Sequence, residues 1–369
     1  MCCRILNSNN PDIPVTGRNM NWLWPMTSDL YVHPRGVEKS GISEPFAESQ
    51  QIPPYNVFAW TAKYASISCI MRGQHQGNTP KNLEPYDSYE LACGDGINEA
   101  GLVVNAMFNN ETDFGENYSD SKLLSTLRWG QFVLDSYSTV QEAIAEMADP
   151  PYQIIDQGMP DDSEMKGQFF LCISDNAGDS AVIEYQGHEV IIHSDPEYKI
   201  ATNQPYYEAQ LKFCHYWNYQ WGMSEYPNKS VQHIAPGGYT APEVFQKATY
   251  NLTFTAPMKT TFLVTAQTKT LLASVAKPLN FNPRRHKKAD SRTFYCIWTT
   301  IGVHHQKRFY FTNAFIGNNG YLEIGDNSTE CIRVQVSSKN LEELEQFEHL
   351  NGNLQNYTTP CNSVPFEKW

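Results

Sequence analysis

Long apolar runs are absent from this sequence. No stretch approaches the roughly 18 residues that a membrane helix requires, and no charged segment followed by an apolar one directs export. The nine cysteines are an odd number without paired spacing, so they do not indicate a disulfide framework. These absences predict a cytoplasmic protein without a membrane segment.

Positive charge is also scarce. The chain has 27 Lys and Arg residues against 40 Asp and Glu residues, for a formal charge of −13. This balance argues against nucleic acid or an anionic membrane as the main partner. One basic run, 284–288, lies between Pro283 and Asp290, and we predict a solvated loop there in preference to a phosphate-binding patch.

Metal and nucleotide motifs are missing as well. His304 and His305 are adjacent and not at helix spacing, and no two cysteines have the spacing of a chelating pair. No glycine-rich loop has the spacing of a dinucleotide or phosphate site. We therefore expect neither a metal nor a cofactor.

The most informative residue that is present is Cys2, directly after the initiator methionine. Removal of Met1 would give Cys2 a free α-amine with a pKa of about 7.7–8.0 beside a thiol with a pKa of about 8.5. The amine can then act as the base for the thiol, as in N-terminal nucleophiles. Arg18 is a candidate cation to favour the thiolate. A single second-position cysteine is by itself more often incidental than catalytic.

Five further stretches accompany Cys2 in order along most of the chain. They are 17–22 (GRNMNW), 30–36 (LYVHPRG), 95–102 (DGINEAGL), 129–135 (WGQFVLD) and 201–205 (ATNQP). With these stretches, the sequence resembles the choloylglycine hydrolase and penicillin V acylase family. The segment 34–36 and Asn105 are closer to the Gram-negative branch of penicillin V acylases and acyl-homoserine-lactone acylases.

The resemblance implies an α+β fold, the four-layer αββα sandwich of N-terminal-nucleophile hydrolases. It also implies hydrolysis of a non-peptide C–N amide bond through an acyl-cysteine intermediate. In this reading Cys2 attacks the carbonyl and Arg18 lies near the thiolate. The Asn203 side chain and the backbone N–H of Phe108 would donate to the oxyanion.

Two positions depart from the family pattern. Asn21 stands where the family has an aspartate that holds the amine and thiol of the cysteine. Asparagine keeps a carbonyl acceptor but adds an NH₂ donor and removes a negative charge, so the orientation of Cys2 could survive or flip. Val244 stands where the family usually has an arginine, and its helical spacing with Ala248 and Leu252 is typical of core packing.

Aromatic side chains are abundant and several lie near Cys2 in the sequence. We predict that Met20, Trp22, Trp24 and Phe108 line a pocket for an apolar or aromatic acyl group. Packing in the core is the alternative for each of them. Cys3 is interpreted as a small buried residue, since only Cys2 can carry the free amine.

Secondary-structure patterns predict mostly strands with a few helices. The predicted strands are 2–7, 15–20, 168–174, 181–185, 189–193, 307–313 and 320–324. Helices are predicted over about 121–137 and after the capping pairs Thr139/Glu142 and Thr240/Glu243. We interpret 1–369 as one domain with a peripheral tail at 338–369.

Three functions remain open from the sequence. The first is an acylase for a hydrophobic N-acyl amide of the penicillin V or acyl-homoserine-lactone type, a small-molecule substrate, in an enzyme that could form a homo-oligomer. The second is a homologue that binds acyl amides or a partner without hydrolysis, which Asn21 and Val244 favour. The third is a bile salt hydrolase, for which no steroid pocket is specified.

Overall fold

About half of the chain lies in the β-strands and α-helices of the described residues. The computed structural model describes residues 2–74, 89–115, 121–160, 162–226, 228–282, 294–325 and 328–369. The basic run 284–288 therefore lies outside the described residues. Among the described residues, no helix combines the length and apolar character needed to cross a bilayer.

The strands are numbered in chain order. They are β1 (Cys3–Asn7), β2 (Val15–Trp22), β3 (Thr27–His33), β4 (Glu38–Ser40), β5 (Ala59–Thr61), β6 (Ser66–Gln74), β7 (Tyr89–Asn98), β8 (Val103–Phe108), β9 (Leu123–Ser125), β10 (Gln153–Ile155), β11 (Gly158–Met159), β12 (Asp162–Lys166), β13 (Phe169–Ser174), β14 (Ser180–Gln186), β15 (Glu189–Ser194), β16 (Ile200–Thr202), β17 (Tyr295–Val303), β18 (Arg308–Asn313), β19 (Gly320–Glu323), β20 (Ile332–Ser337), β21 (Gly352–Asn353) and β22 (Thr359–Pro360).

The helices of the described residues are fewer. They are α1 (Glu44–Ser49), α2 (Thr126–Ser136), α3 (Val140–Met147), α4 (Tyr207–Gln220), α5 (Ala241–Thr253) and α6 (Thr261–Val275), with short 3₁₀ helices at Pro54–Asn56, His304–Gln306, Leu341–Phe347 and Gln355–Tyr357.

Two large sheets form the centre of the fold. A seven-stranded sheet has the order β16-β1-β2-β17-β18-β19-β21, and a nine-stranded sheet has the order β15-β14-β13-β8-β7-β6-β3-β20-β22. Helices α5 and α6 pack on the first sheet, α2 packs on the second, and strands β17 and β18 contact β7 across the interior. The layers are therefore helix, sheet, sheet, helix, which confirms the predicted αββα sandwich.

The hairpin of β1 and β2 determines which side chains enter the space between the sheets. Its register pairs Cys3 with Asn19 and Arg4 with Arg18. Successive side chains on a strand point to opposite faces, so Arg18 points to the opposite face from Asn19. Arg18 contacts the nine-stranded sheet, whereas Asn19 donates to the Leu272 carbonyl of α6 at 2.8 Å.

Gly17 in β2 allows α6 to approach the sheet closely. A Cβ at this position would lie 2.5 Å from Leu272 Cδ1 and 3.1 Å from the carbonyl oxygen of Thr300. Any larger residue would therefore force the Leu272 side chain or α6 itself to move. The glycine of the 17–22 motif has a packing role beside the chemistry of its neighbours.

The sequence predicted many strand bounds to within one or two residues but was less successful with helices. The predicted helix over 121–137 is wrong at its beginning, because 123–125 form β9 and Ser125 caps α2 by accepting from Leu127 N at 3.1 Å. The capping residue breaks the apparent periodicity. The sequence analysis predicted neither α4 nor α6, and the Thr-rich composition of α6 is more typical of a strand.

The predicted peripheral tail lies at the edges of both sheets. Strand β21 pairs with β19, and β22 pairs with β20. Phe366 is buried, and its carbonyl accepts from Ser40 N at 2.9 Å. The segment therefore lies at the periphery, as predicted, and backbone hydrogen bonds join it to both sheets.

Candidate functional site

Cys2 directly precedes β1, inside the sandwich, and is 1% exposed. Its Sγ accepts from Arg18 Nη2 at 3.4 Å and from the Asn21 backbone N–H at 3.4 Å. Met20 Sδ lies 3.9 Å from the same sulfur. Two N–H donors therefore converge on the sulfur from different residues of β2.

Arg18 is fixed by partners on the nine-stranded sheet. Its Nη1 lies 2.8 Å from Asp95 Oδ2, and its Nη2 also donates to the Ala106 carbonyl at 2.9 Å. Burial by itself lowers the pKa of Arg18, but the Asp95 carboxylate and the Cys2 thiol outweigh it and raise the pKa above its ordinary value. The guanidinium stays charged beside the sulfur.

Asp95 is a site residue that the sequence reasoning did not assign, although it lies in the 95–102 stretch. It is fully buried, and its second oxygen accepts from Asn105 Nδ2 at 2.8 Å. An acidic residue inside a strand with buried neighbours requires a cation, because an unpaired buried charge is costly. This need for a cation was the sequence signal that could have identified Asp95 as a site residue, and Arg18 is the cation that it pairs with.

Asn203 follows β16, the strand that pairs with β1 on its outer side. Its Oδ1 accepts a hydrogen bond from the backbone nitrogen of Cys2. Its Nδ2 donates to the Phe108 carbonyl at 2.5 Å, which leaves the second N–H of the amide for another acceptor. Asn203 therefore links the nitrogen of Cys2 to β8.

The backbone of Phe108 turns toward the same region. Asn109 N donates to the Gln168 carbonyl at 2.8 Å, and Phe108 is opposite Phe169 in the ladder. Hydrogen-bonded and non-hydrogen-bonded pairs alternate in antiparallel sheets, so the N–H and C=O of Phe108 point away from β13. The carbonyl meets Asn203, and the N–H lies on that same side of the strand.

An aromatic cluster borders the site. The Trp22 ring lies edge-to-face with Trp24, Phe108 and Phe294, at centroid distances of 5.7, 5.6 and 5.9 Å. Trp22 is 1% exposed, whereas Trp24 and Phe108 are only partly buried. The predicted aromatic residues are therefore brought together, with Trp22 as the buried centre.

Two residues that were predicted to pack in the core make none of the contacts described around the Cys2 sulfur. Cys3 is fully buried, and burial raises its pKa, so it stays a protonated thiol. Val244 is buried in α5, the helix that packs on the outer side of β1 and β16. Both positions agree with the core roles predicted for them.

The structure gives no metal-binding cluster in the part of the chain that it describes. No group of three or more His, Cys, Asp or Glu side chains there is arranged to hold an ion. The groups around Cys2 are a thiol, a guanidinium, amides and backbone carbonyls. Such a set suits nucleophilic attack and stabilisation of an oxyanion.

Solved structures share this architecture. A penicillin V acylase from Agrobacterium tumefaciens superposes with a TM-score of 0.76 at 23% identity, over 100% of this chain and 99% of that one. A conjugated bile acid hydrolase from Clostridium perfringens, solved as a variant, superposes with a TM-score of 0.64 at 14% identity, over 88% and 92% of the two chains.

Sequence comparison leads to the same group. A penicillin V acylase from Pectobacterium atrosepticum is 24% identical over 334 residues, which cover 86% of this chain and 79% of that protein. The family model described as linear amide C–N hydrolases, choloylglycine hydrolase family, matches residues 2–318. The chain belongs to the choloylglycine hydrolase family and is an enzyme of the linear amide C–N hydrolase class.

Proposed function

We propose that this enzyme is an acylase that hydrolyses a linear N-acyl amide through an acyl-thioester on Cys2, after removal of Met1. The observation that carries the proposal is the double engagement of Cys2. Its sulfur meets the Arg18 guanidinium at 3.4 Å while its backbone nitrogen contacts Asn203. Nucleophile and base would thus be held by separate partners.

The reaction would start when the free α-amine of Cys2 takes the thiol proton, directly or through one water. The thiolate attacks the amide carbonyl carbon, and the electron pair of the C=O bond moves to its oxygen. The remaining N–H of the Asn203 amide and the N–H of Phe108 are the proposed donors to that oxyanion. Loss of one such donor typically costs about 10²–10³ in rate.

Collapse of the tetrahedral intermediate would break the C–N bond. The leaving nitrogen takes the proton back from the Cys2 ammonium, which gives a free amine and an acyl-cysteine thioester. A water molecule then attacks the thioester, with the α-amine accepting its proton. The products are a carboxylic acid and the regenerated thiol.

The acyl group is proposed to be apolar or aromatic, as in penicillin V and N-acyl-homoserine lactones. The support is the cluster around Trp22, whose partly buried members are Trp24 and Phe108, the residue that carries one proposed oxyanion donor. Aromatic rings give large apolar contact area with little conformational entropy loss. The penicillin V acylases named above fit this preference.

The decisive experiment measures amine release from phenoxyacetyl, long-chain acyl-homoserine-lactone and glycine-conjugated bile amides. The protein is first shown by mass to lack Met1, and wild type is compared with Cys2→Ala and Cys3→Ala. We expect turnover with wild type and Cys3→Ala and none with Cys2→Ala. Preference for the phenoxyacetyl or lactone substrate would support the proposed acyl class.

Absence of turnover by folded wild-type protein without Met1 would refute the acylase and favour a homologue that only binds acyl amides. Faster cleavage of the bile amide would instead refute the acyl preference. The homo-oligomer and the cytoplasmic location stay predictions from the sequence. Sedimentation of the purified enzyme and fractionation of cells test them separately.

A further inference from the structure

Cys331 and Cys361 form a pair of thiols remote in sequence from the catalytic machinery. The ladder of β20 and β22 pairs Ile332 with Pro360, which sets Cys331 opposite Cys361 one residue further on. Cys361 N donates to the Cys331 carbonyl at 2.9 Å. Directly opposite residues of a hydrogen-bonded antiparallel pair have Cα atoms about 5.5 Å apart, which suits a disulfide.

The two side chains also meet. The neighbouring Cys331 thiol lowers the pKa of Cys361, and the neighbouring Cys361 thiol raises the pKa of Cys331. Arg333 adds a smaller lowering effect at Cys361. Cys361 is therefore the thiol that more readily becomes a thiolate, and Cys331 is the one that keeps its proton.

Exposure distinguishes this pair from the other cysteines. All nine are free, and Cys361 is the one that is not buried. Cys69 and Cys93 are also neighbours on β6 and β7, but they are 0% and 1% exposed. A small oxidant can thus reach Cys361 from solvent, whereas the Cys69 and Cys93 thiols are covered.

We propose that Cys331 and Cys361 form a reversible disulfide that fastens the C-terminal segment 361–369 to the nine-stranded sheet when the enzyme meets a small-molecule disulfide such as oxidised glutathione. The segment crosses from β22 to β4. There Lys368 N donates to the Glu38 carbonyl at 2.9 Å, and Trp369 Nε1 donates to the Ile42 carbonyl at 3.0 Å.

The exchange balances in two steps. The Cys361 thiolate attacks one sulfur of the small-molecule disulfide, which forms a mixed disulfide and releases one thiolate that takes up a proton. Cys331 then loses its proton and attacks Cys361 Sγ, which breaks the mixed disulfide and releases the second small thiol. Two protein thiols are oxidised and one small-molecule disulfide is reduced to two thiols.

The test uses full-length Cys2→Ala, so that the site thiol does not react. Native protein is incubated with oxidised glutathione, and non-reduced peptides are identified by mass. We expect a cross-link between the peptides of Cys331 and Cys361 that reductant removes. Adding Cys331→Ser should trap glutathione on Cys361, whereas adding Cys361→Ser should leave Cys331 unmodified. Cys69→Ser is the matched control and should change nothing.

The effect of the disulfide on the C-terminal segment 361–369 is measured separately. Closing the loop between the two cysteines should raise Tm by about 5 °C. Amide exchange at Lys368 should slow in the oxidised protein. Glutathione found on Cys361 with no cross-link in the parent protein, or no reaction at all, would overturn the disulfide. A cross-link that leaves exchange at Lys368 unchanged would overturn the fastening.

Discussion

The buried guanidinium of Arg18 lies 2.8 Å from the carboxylate of Asp95, with both side chains at most 1% exposed. This ion pair joins the two sheets across the interior and places the other guanidinium nitrogen at the Cys2 sulfur. The pair couples the stability of the sandwich to the electrostatics of the proposed nucleophile.

Asp95→Asn should lower kcat/KM by at least about tenfold and also destabilise the fold. Breaking a buried ion pair leaves an uncompensated charge, which typically costs about 3–5 kcal/mol, because Arg18 would lose its charged partner and keep only neutral acceptors such as the Ala106 carbonyl. Amine-release kinetics and urea unfolding measure the two effects.

Glu323→Gln is the matched control for that acid-to-amide change. Glu323 pairs with Arg308 at 2.6 Å on the surface, where such pairs contribute about 0–1 kcal/mol. We expect near-wild-type kinetics and stability. An Asp95→Asn enzyme with unchanged kinetics would contradict the proposed positioning of Arg18.

Asn21→Asp tests how Cys2 is oriented. The Asn21 backbone already contacts the sulfur, donating from its N–H and accepting at its carbonyl at 3.6 Å. An aspartate at position 21 would restore the negative charge that the family has near the α-amine of Cys2. The measurement is kcat on the preferred amide. A higher kcat in Asn21→Asp would mean that the wild type is impaired. A lower kcat would mean that asparagine suits this enzyme.

Trp22→Phe should change acyl preference while the fold remains intact. The indole fills the space between Trp24, Phe108 and Phe294, and a smaller ring enlarges it. We expect the ratio of kcat/KM for long-chain over phenoxyacetyl amides to rise severalfold. A lower Tm with an unchanged ratio would assign Trp22 to core packing alone.

His304 makes stability depend on pH. It is fully buried, and burial lowers its pKa from 6.5 to about 4. Below pH 6.5 the unfolded chain binds a proton that the folded chain does not, so stability present above pH 6.5 is lost as the pH falls toward 4. The lowered pKa predicts that the free energy of unfolding falls by about 3 kcal/mol between pH 6.5 and 4.

Urea unfolding between pH 7.5 and 4.5 measures this dependence. His304→Gln should flatten the slope, because glutamine does not titrate. His349→Gln, at an exposed position, should leave the slope as in wild type. Equal slopes in all three proteins would contradict the role of His304. His33 should contribute in the same direction, since burial lowers its pKa well below 6.5.

Much of the fold follows from local pattern. Short β-rich runs separated by polar turns located the strands around 2–7, 15–20 and 168–193, because both the residue types and the turn residues are local features of the sequence. Helix α6 was missed because its apolar, Thr-rich segment lacks helical contrast. This helix packs closely on Gly17 of β2, a contact that residues within the segment do not encode.

The sequence by itself determined the family and singled out Cys2 as the proposed nucleophile and Arg18 as its proposed cation, since the ordered motifs are matters of residue type and spacing. The tertiary structure alone decided that Asp95 holds Arg18, that the Asn203 carbonyl faces the Cys2 nitrogen, and that Cys331 meets Cys361. These pairs are distant in the chain. Their contacts depend on how the strands align and how the two sheets pack, which no local pattern specifies.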